Sequence, residues 1–421
     1  MKVTPDDIQT LVENPIELFY QSLKSEATKD RYTRFLFSML CHTLDGILEG
    51  TFEERAKQLV ILARANPEWA TNLMLAISKK LKERTTLNPS DKDYLNPNSV
   101  PNYFKPLRKL LDMNSVPLAW KRVFSTFPEE NNNFGGRGYT RQEIQKMLSF
   151  TKGALDKAII LVAASSGIRE GGLVLKWGDI TPVYKVEDKI VLDVSDSELE
   201  KAEIVCGIVV VYKNTNQEYP AFITPEAYKS LEDYKTVWRK EIGREPKPQD
   251  PLFKRAGPFL KTLSADGIKQ RVYRVIDSAS IRPQLVGGKR RHEVPIMNGF
   301  RRFFNKSNKE SISKDSPIAA LIEKEYMMGH IGLVKLDKNY FKTHITELVE
   351  EYLNAVPNLT INDSERQKLT IKKLKNENEN QQKEIIRIVN VRMSRSENRI
   401  RKMLEKMGNP PQYEWMKTYR P

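Results

Sequence analysis

Four side-chain types spread over residues 169–340 could together cut a phosphodiester bond. They are an arginine after a Ser-Gly-Ile turn (Arg169), a lysine closing a β-branched run (Lys213), a second arginine (Arg301), and a Gly-His pair (His330) followed ten residues on by Tyr340. Cations can hold a phosphate while a side-chain oxygen attacks it, without a metal or a cysteine nucleophile. Taken singly each group is commonplace: an arginine serves as readily in a surface ion pair, and a histidine or tyrosine packs as readily in a core. Only four histidines occur (His42, His292, His330, His344) and no HExxH pattern is present, so the sequence gives no reason to expect a protein-held catalytic metal, and no cofactor is expected. The two cysteines, Cys41 and Cys206, lie far apart in apolar segments, which argues against a disulfide framework or a cysteine-rich zinc site and fits a reducing, intracellular setting.

The balance of charge points to the partner. Lys plus Arg number 69 against 54 Asp plus Glu, a net of +15, which favours a polyanion such as nucleic acid. No apolar run is long enough to span a bilayer, and the N-terminus lacks the basic-then-apolar layout of a secretion signal, so a cytoplasmic protein without a membrane partner is expected, while composition alone does not separate DNA from RNA. With 421 residues, 39% of them hydrophobic, the chain can form two or three ordinary domains.

The elements that must position these groups read as follows. Residues 1–130 are expected to be an all-helical unit, broken by Asn-Pro at 14–15, 66–67, 88–89 and 96–97; residues 32–40 and 103–113 carry helix-period apolar spacing. The stretch EENNNFGGRG cannot bury itself, so residues 131–139 are assigned to a linker. Thr140 and Glu143 stand at capping-box spacing at the start of a second domain, residues 140–357. Within it, residues 155–165 read as a buried helix; residues 189–194, 204–213 and 219–223 read as strands of a small antiparallel sheet; Thr224 and Pro225 restart the helices. Residues 358–421 form a basic tail. Between 364 and 407 it holds 13 basic and 6 acidic side chains, net +7, with no Pro or Gly in 365–407. Ile386, Val389, Met393, Ile400, Met403 and Met407 fit an a/d heptad broken at Ser396, whereas the same register upstream meets Lys372, Lys375, Glu379 and Gln382. A coiled coil over the last three heptads and a single solvated helix both remain open.

From about residue 140 to 350 the chain resembles the catalytic domain of the tyrosine recombinase, or phage integrase, family, of an archaeal or archaeal-virus type. Three segments carry the resemblance: SSGIREGGLVLKWGDI (165–180), MNGFRRFF (297–304) and MMGHIGLVKLDKNYF (327–341). It implies a mainly α fold with a small antiparallel β-sheet, a helical core-binding domain ahead of an α+β catalytic domain, and a long C-terminal helix. It also implies catalytic roles. Arg169 and Arg301 would bind the non-bridging oxygens of a scissile phosphate, which suits guanidiniums that do not deprotonate and present forked donors. Arg302 is the neighbour that could take the place of Arg301. Tyr340 would be the nucleophile, with Tyr326 and Tyr352 as competitors, the latter in a segment that reads as packing. His330 would hydrogen-bond the phosphate or position the tyrosine. Lys213, on a hairpin turn, would protonate the leaving 5′-hydroxyl, with Lys201 and Lys189 as rivals.

The sequence also departs from the family pattern. Asn298 stands where the second box usually has His or Lys, and it can neither exchange a proton nor carry charge. His292, nine residues before Arg301, is too far along the chain to replace it by helical spacing. Gly172 stands where an acidic residue often follows the first arginine, and the following Trp177 comes one residue early.

The resemblance implies a site-specific DNA recombinase or integrase that cleaves and rejoins strands through a 3′-phosphotyrosyl intermediate, on double-stranded DNA and as a homotetramer. Type IB topoisomerase-like relaxation of one duplex, and a DNA-binding protein with a decayed site, are the alternatives.

Overall fold

The computed structural model describes residues 2–5, 14–130, 136–187, 189–195, 197–285, 292–312, 317–330 and 344–406. The described chain is mainly helical with one four-stranded antiparallel sheet. It divides into two compact units, one of residues 1–136 with 283–293, the other of residues 137–282 with 294–421.

The N-terminal unit is helical, and its Asn-Pro pairs explain where helices start. α1 (Pro15–Gln21) and α4 (Pro67–Thr85) each begin with a proline behind an asparagine whose side chain accepts from a first-turn N–H. α2 (Glu26–Ser38) is capped by Ser25, and α3 (Phe52–Ala65) by a Thr51–Glu54 capping box. α5 (Val100–Met113) and the short α6 (Trp120–Phe124) complete the bundle. Phe19, Leu36, Leu40, Leu59, Met74, Leu107 and Leu110 are fully buried at its centre.

In the second unit, α7 (Arg141–Ser149) starts at the expected Thr140–Glu143 box, and α8 (Ala154–Ser166) is buried on nearly every side. The sheet follows: β1 (Ile180–Val186), β2 (Lys189–Val191), β3 (Glu203–Val211) and β4 (Tyr219–Ile223), in the order β2-β1-β3-β4. The sequence reading missed β1. Its Pro182 hides a strand from propensity, yet it pairs opposite Gly207 beside an irregularity at Val183/Tyr184. The expected strand at 189–194 is only a three-residue edge.

Helices α9 (Pro225–Ile242), α10 (Ala265–Ser278), α11 (Asn298–Lys309), α12 (Pro317–Met327) and α13 (Ile345–Leu359) wrap α8 and the sheet. The exit from α13 is pinned rather than loose. Arg141 donates to the carbonyls of Asn358 at 2.5 Å and Thr360 at 3.2 Å, and Glu226 accepts from the N–H groups of Ile361 and Asn362. The tail is then one helix, α14 (Asp363–Lys406), about 66 Å long at 1.5 Å per residue. Ile386, Val389, Met393, Ile400 and Met403 are exposed on it.

Candidate active site

The site begins where α8 stops. Gly167 ends the helix in the left-handed region at φ +61°, and a Cβ there would lie 2.6 Å from the Phe304 ring of α11, so only glycine permits both the turn and the approach. That approach brings Arg301, on the same helix as Phe304, under the turn. Its Nη1 donates to the Gly167 carbonyl at 2.6 Å, across 134 residues of sequence. Its Nη2 donates to the Met328 carbonyl at 2.6 Å and to His330 Nε2 at 2.8 Å. Arg301 is only 7% exposed, so these partners are what make its burial tolerable.

The third segment is also shaped by a glycine. α12 ends in a Schellman motif: His330 N–H donates to the Glu325 carbonyl and Gly329 N–H to that of Tyr326, with Gly329 at φ +69°. The chain therefore folds back, and the His330 ring returns against the Glu325 side chain, with Nδ1 bonded to its carboxylate. A guanidinium can only donate, so Nε2 of His330 must accept from Arg301 and Nδ1 carries the proton given to Glu325. Glu325 in turn holds Lys324, which is buried at 1% exposure and donates to Glu325 Oε1 at 2.6 Å and Asn305 Oδ1 at 2.9 Å. Burial alone would raise the Glu325 carboxyl, but the hydrogen bonds from Lys324 and His330 outweigh it and hold the group below the ordinary carboxylate range. A lowered value means that this carboxylate contributes stability at neutral pH, lost as the pH falls through that value.

Beside this network lies a cleft of about 400 Å³ lined by Arg169, Tyr212, Gln217, Tyr219 and Gly329. Arg169 is exposed at its rim. Burial lowers the Arg301 guanidinium's affinity for its proton, and the charge of Arg169 lowers it further. Two cations that repel each other beside a concave, partly dry surface make a site whose electrostatics improve when an anion enters. Tyr212 contributes from a positive φ of +53°, a strained conformation for a residue with a Cβ.

Solved structures to which the chain is similar include recombinases and integrases. They include a XerH site-specific recombinase bound to a palindromic difH substrate, in a post-cleavage complex (13% identity, 80% of this chain and 97% of that one, TM-score 0.41). A lambda integrase dimer bound to a core site (12%, 70% and 93%, 0.35) and the XerA recombinase (13%, 82% and 98%, 0.32) are others. No family model and no curated protein matches the chain.

The remaining expected residues fall as follows. Lys213 sits on the β3–β4 turn and is not among the residues lining the cleft: its Nζ donates to the Gly178 carbonyl at 3.2 Å and lies 3.9 Å from Asp179. Lys201 and Lys189 are exposed and line no part of the cleft. Asn298 is exposed at the first position of α11. Arg302 does not reach His330, and its Nη1 is buried without a hydrogen-bond partner among the described residues. His292 groups with the N-terminal unit. Gly172 has a packing reason, since a Cβ would lie 2.7 Å from Ile168 and 2.8 Å from Val211. Tyr340 lies outside the described residues. Of its competitors, Tyr352 is wholly buried and donates to the Ser165 carbonyl at 2.8 Å, and Tyr326 is 5% exposed.

Among the described residues no cluster of three or more His, Cys, Asp or Glu could hold a metal, and no helix is long and apolar enough to cross a membrane. Cys41 and Cys206 are free thiols.

Sequence reasoning missed Glu325, Lys324, Tyr212, Gln217 and Tyr219. Glu325 had a readable signal, because a carboxylate five residues before the histidine of a Gly-His at a helix end is where a Schellman turn returns that histidine.

Proposed function

We propose that this chain is a site-specific DNA recombinase or integrase that cleaves one strand through Tyr340, exchanges it and reseals it. The observation that carries the reading is the convergence of Arg301 on the first and third sequence segments together, through Gly167, Met328 and His330, beside a cleft rimmed by Arg169. In the proposed reaction the Tyr340 phenol gives up its proton as its oxygen bonds to phosphorus, and the P–O5′ bond breaks with the 5′-oxygen taking up a proton to leave as a hydroxyl. The arginines neutralise the non-bridging oxygens as negative charge builds up, and His330, oriented by Glu325, hydrogen-bonds the phosphate or steers the phenol. A suicide duplex whose cleaved fragment diffuses away should trap a covalent protein–DNA adduct, and Tyr340→Phe should abolish it; an adduct undiminished in that variant would overturn the assignment.

A DNA-binding protein with a decayed site is the second reading. It is favoured by Lys213 being engaged at Gly178 and by the exposed Asn298 in the second box. Duplex binding with no adduct from the unaltered chain would select it.

Strand exchange needs more than one copy, and we assign α14 to the contact. With Ile386, Met393 and Ile400 at a and Val389, Ser396 and Met403 at d, the face around Ser396 holds a hollow of about 300 Å³ lined by Val389, Arg392, Met393, Ser396, Glu397 and Ile400. These residues make two successive holes for knobs of a facing helix. Arg392 falls at g and Glu397 at the following e, so two parallel copies set each Arg392 against Glu397 of the other. An antiparallel pair would instead bring arginine against arginine. Arg392→Glu should shift sedimentation of the full chain toward monomer, and Arg392→Glu with Glu397→Arg should restore association; identical sedimentation in all three chains removes α14 from the interface.

A further inference from the structure

Tyr219 opens β4 and is 2% exposed; the Arg301 guanidinium lies beside its hydroxyl but can only donate to it, so among the described residues the hydroxyl's own proton has no acceptor. A buried donor without an acceptor is unfavourable, and phenylalanine would fill the same space without that penalty. The ring is closely fitted. Gly329 leaves exactly the room it needs to lie against the end of α12, since a Cβ at 329 would come within 2.6 Å of Tyr219 Cε1. What the site lacks is therefore an acceptor for the hydroxyl, and the surroundings specify its charge. Tyr219 lines the cleft with Arg169 and Gln217, and the charged groups that act on it are the cations Arg301 and Arg169.

We propose that the Tyr219 hydroxyl donates a hydrogen bond to a non-bridging oxygen of the phosphate held in this cleft, as a third phosphate ligand beside Arg169 and Arg301. The inference rests on the phosphodiester reading of the site. Burial pushes the Tyr219 phenol up to about 12, opposed by the two arginines, so at neutral pH it is a donor and not an attacking oxygen. A neutral donor here also supplies a hydrogen bond of the kind that the second sequence box does not offer, since Asn298 is exposed at the start of α11.

Inorganic phosphate binding to the full chain tests this apart from cleavage. Thermal-shift titration with phosphate should give at least tenfold weaker affinity for Tyr219→Phe than for the unaltered chain. Without phosphate, the melting temperature of Tyr219→Phe should equal or exceed that of the unaltered chain, whereas Tyr352→Phe, which loses its bond to the Ser165 carbonyl, should melt lower. Unchanged phosphate affinity in Tyr219→Phe overturns the proposal. So does a melting temperature lowered as in Tyr352→Phe, or an unaltered chain that binds no phosphate. Adduct formation on the suicide duplex is read separately. A chain that never cleaves, but whose phosphate affinity falls tenfold in Tyr219→Phe, keeps Tyr219 as an anion ligand while the recombinase reading fails.

Discussion

Arg301→Ala is expected to lower folding stability by about 3 kcal/mol and to reduce covalent-adduct formation by about 10³-fold or more. The stability effect follows from what the guanidinium leaves behind. The carbonyls of Gly167 and Met328 lose a charged donor at 2.6 Å each, and His330 Nε2 loses the donor that fixes its tautomer. Hydrogen bonds to charged groups contribute about 1.5–3 kcal/mol each, but part of the loss is offset because an arginine that is costly to bury and repelled by Arg169 has also gone. Arg301→Lys separates charge from geometry. A single ammonium cannot reproduce a fork that spans three acceptors, so the lysine variant should recover part of the stability and little of the cleavage. Urea denaturation and single-turnover adduct kinetics measure the two effects. An alanine variant that keeps both near the level of the unaltered chain would show that Arg301 does not organise the site.

The parts of this site legible in the sequence are those set by local backbone chemistry. Gly167 and Gly329 are left-handed helix ends, and each places the residue that follows it in a fixed direction. That is why Arg169, after the first, and His330, at the second, can be picked out from a few neighbouring letters. The capping boxes at Thr51 and Thr140 and the Asn-Pro helix starts are readable for the same reason.

What stays illegible is set by approaches between distant segments. Tyr219 belongs to the site only because β4 passes the end of α12, and one residue later in the strand the side chain would face the other way. Lys213 illustrates the converse. The sequence places it on the expected hairpin turn, but its neighbour Tyr212, at positive φ, is the residue that lines the cleft, while the lysine reaches Gly178 and Asp179. β1 escaped because Pro182 lowers strand propensity, while the register opposite Gly207 that accommodates it is a property of the assembled sheet. The assignment of residues 283–293 to the N-terminal unit has no signal in composition either.

Gly329→Ala should be the second most damaging single change, because two independent penalties meet at one atom. A residue with a Cβ at φ +69° costs about 1–2 kcal/mol in backbone strain. The added carbon would also lie 2.6–2.9 Å from three atoms of the Tyr219 ring, an overpacking that costs a further 1–3 kcal/mol, roughly, when the ring cannot retreat. The ring is 2% exposed and has little room to move, so a total of about 2–5 kcal/mol is expected. The functional effect comes from the next residue. His330 owes its place between Glu325 and Arg301 to the Schellman turn, so opening that turn should slow the proposed adduct formation by roughly 10²-fold while duplex binding, expected to follow the net charge of +15 rather than this one imidazole, changes little. Pairing Gly329→Ala with Tyr219→Leu resolves the two penalties, since the smaller side chain relieves the collision but not the backbone strain. The double variant should therefore be destabilised by less than the sum of the single changes, with the φ contribution remaining. Strict additivity would mean that the ring and the turn do not press on each other, and the close approach would then have no part in holding His330 against Arg301.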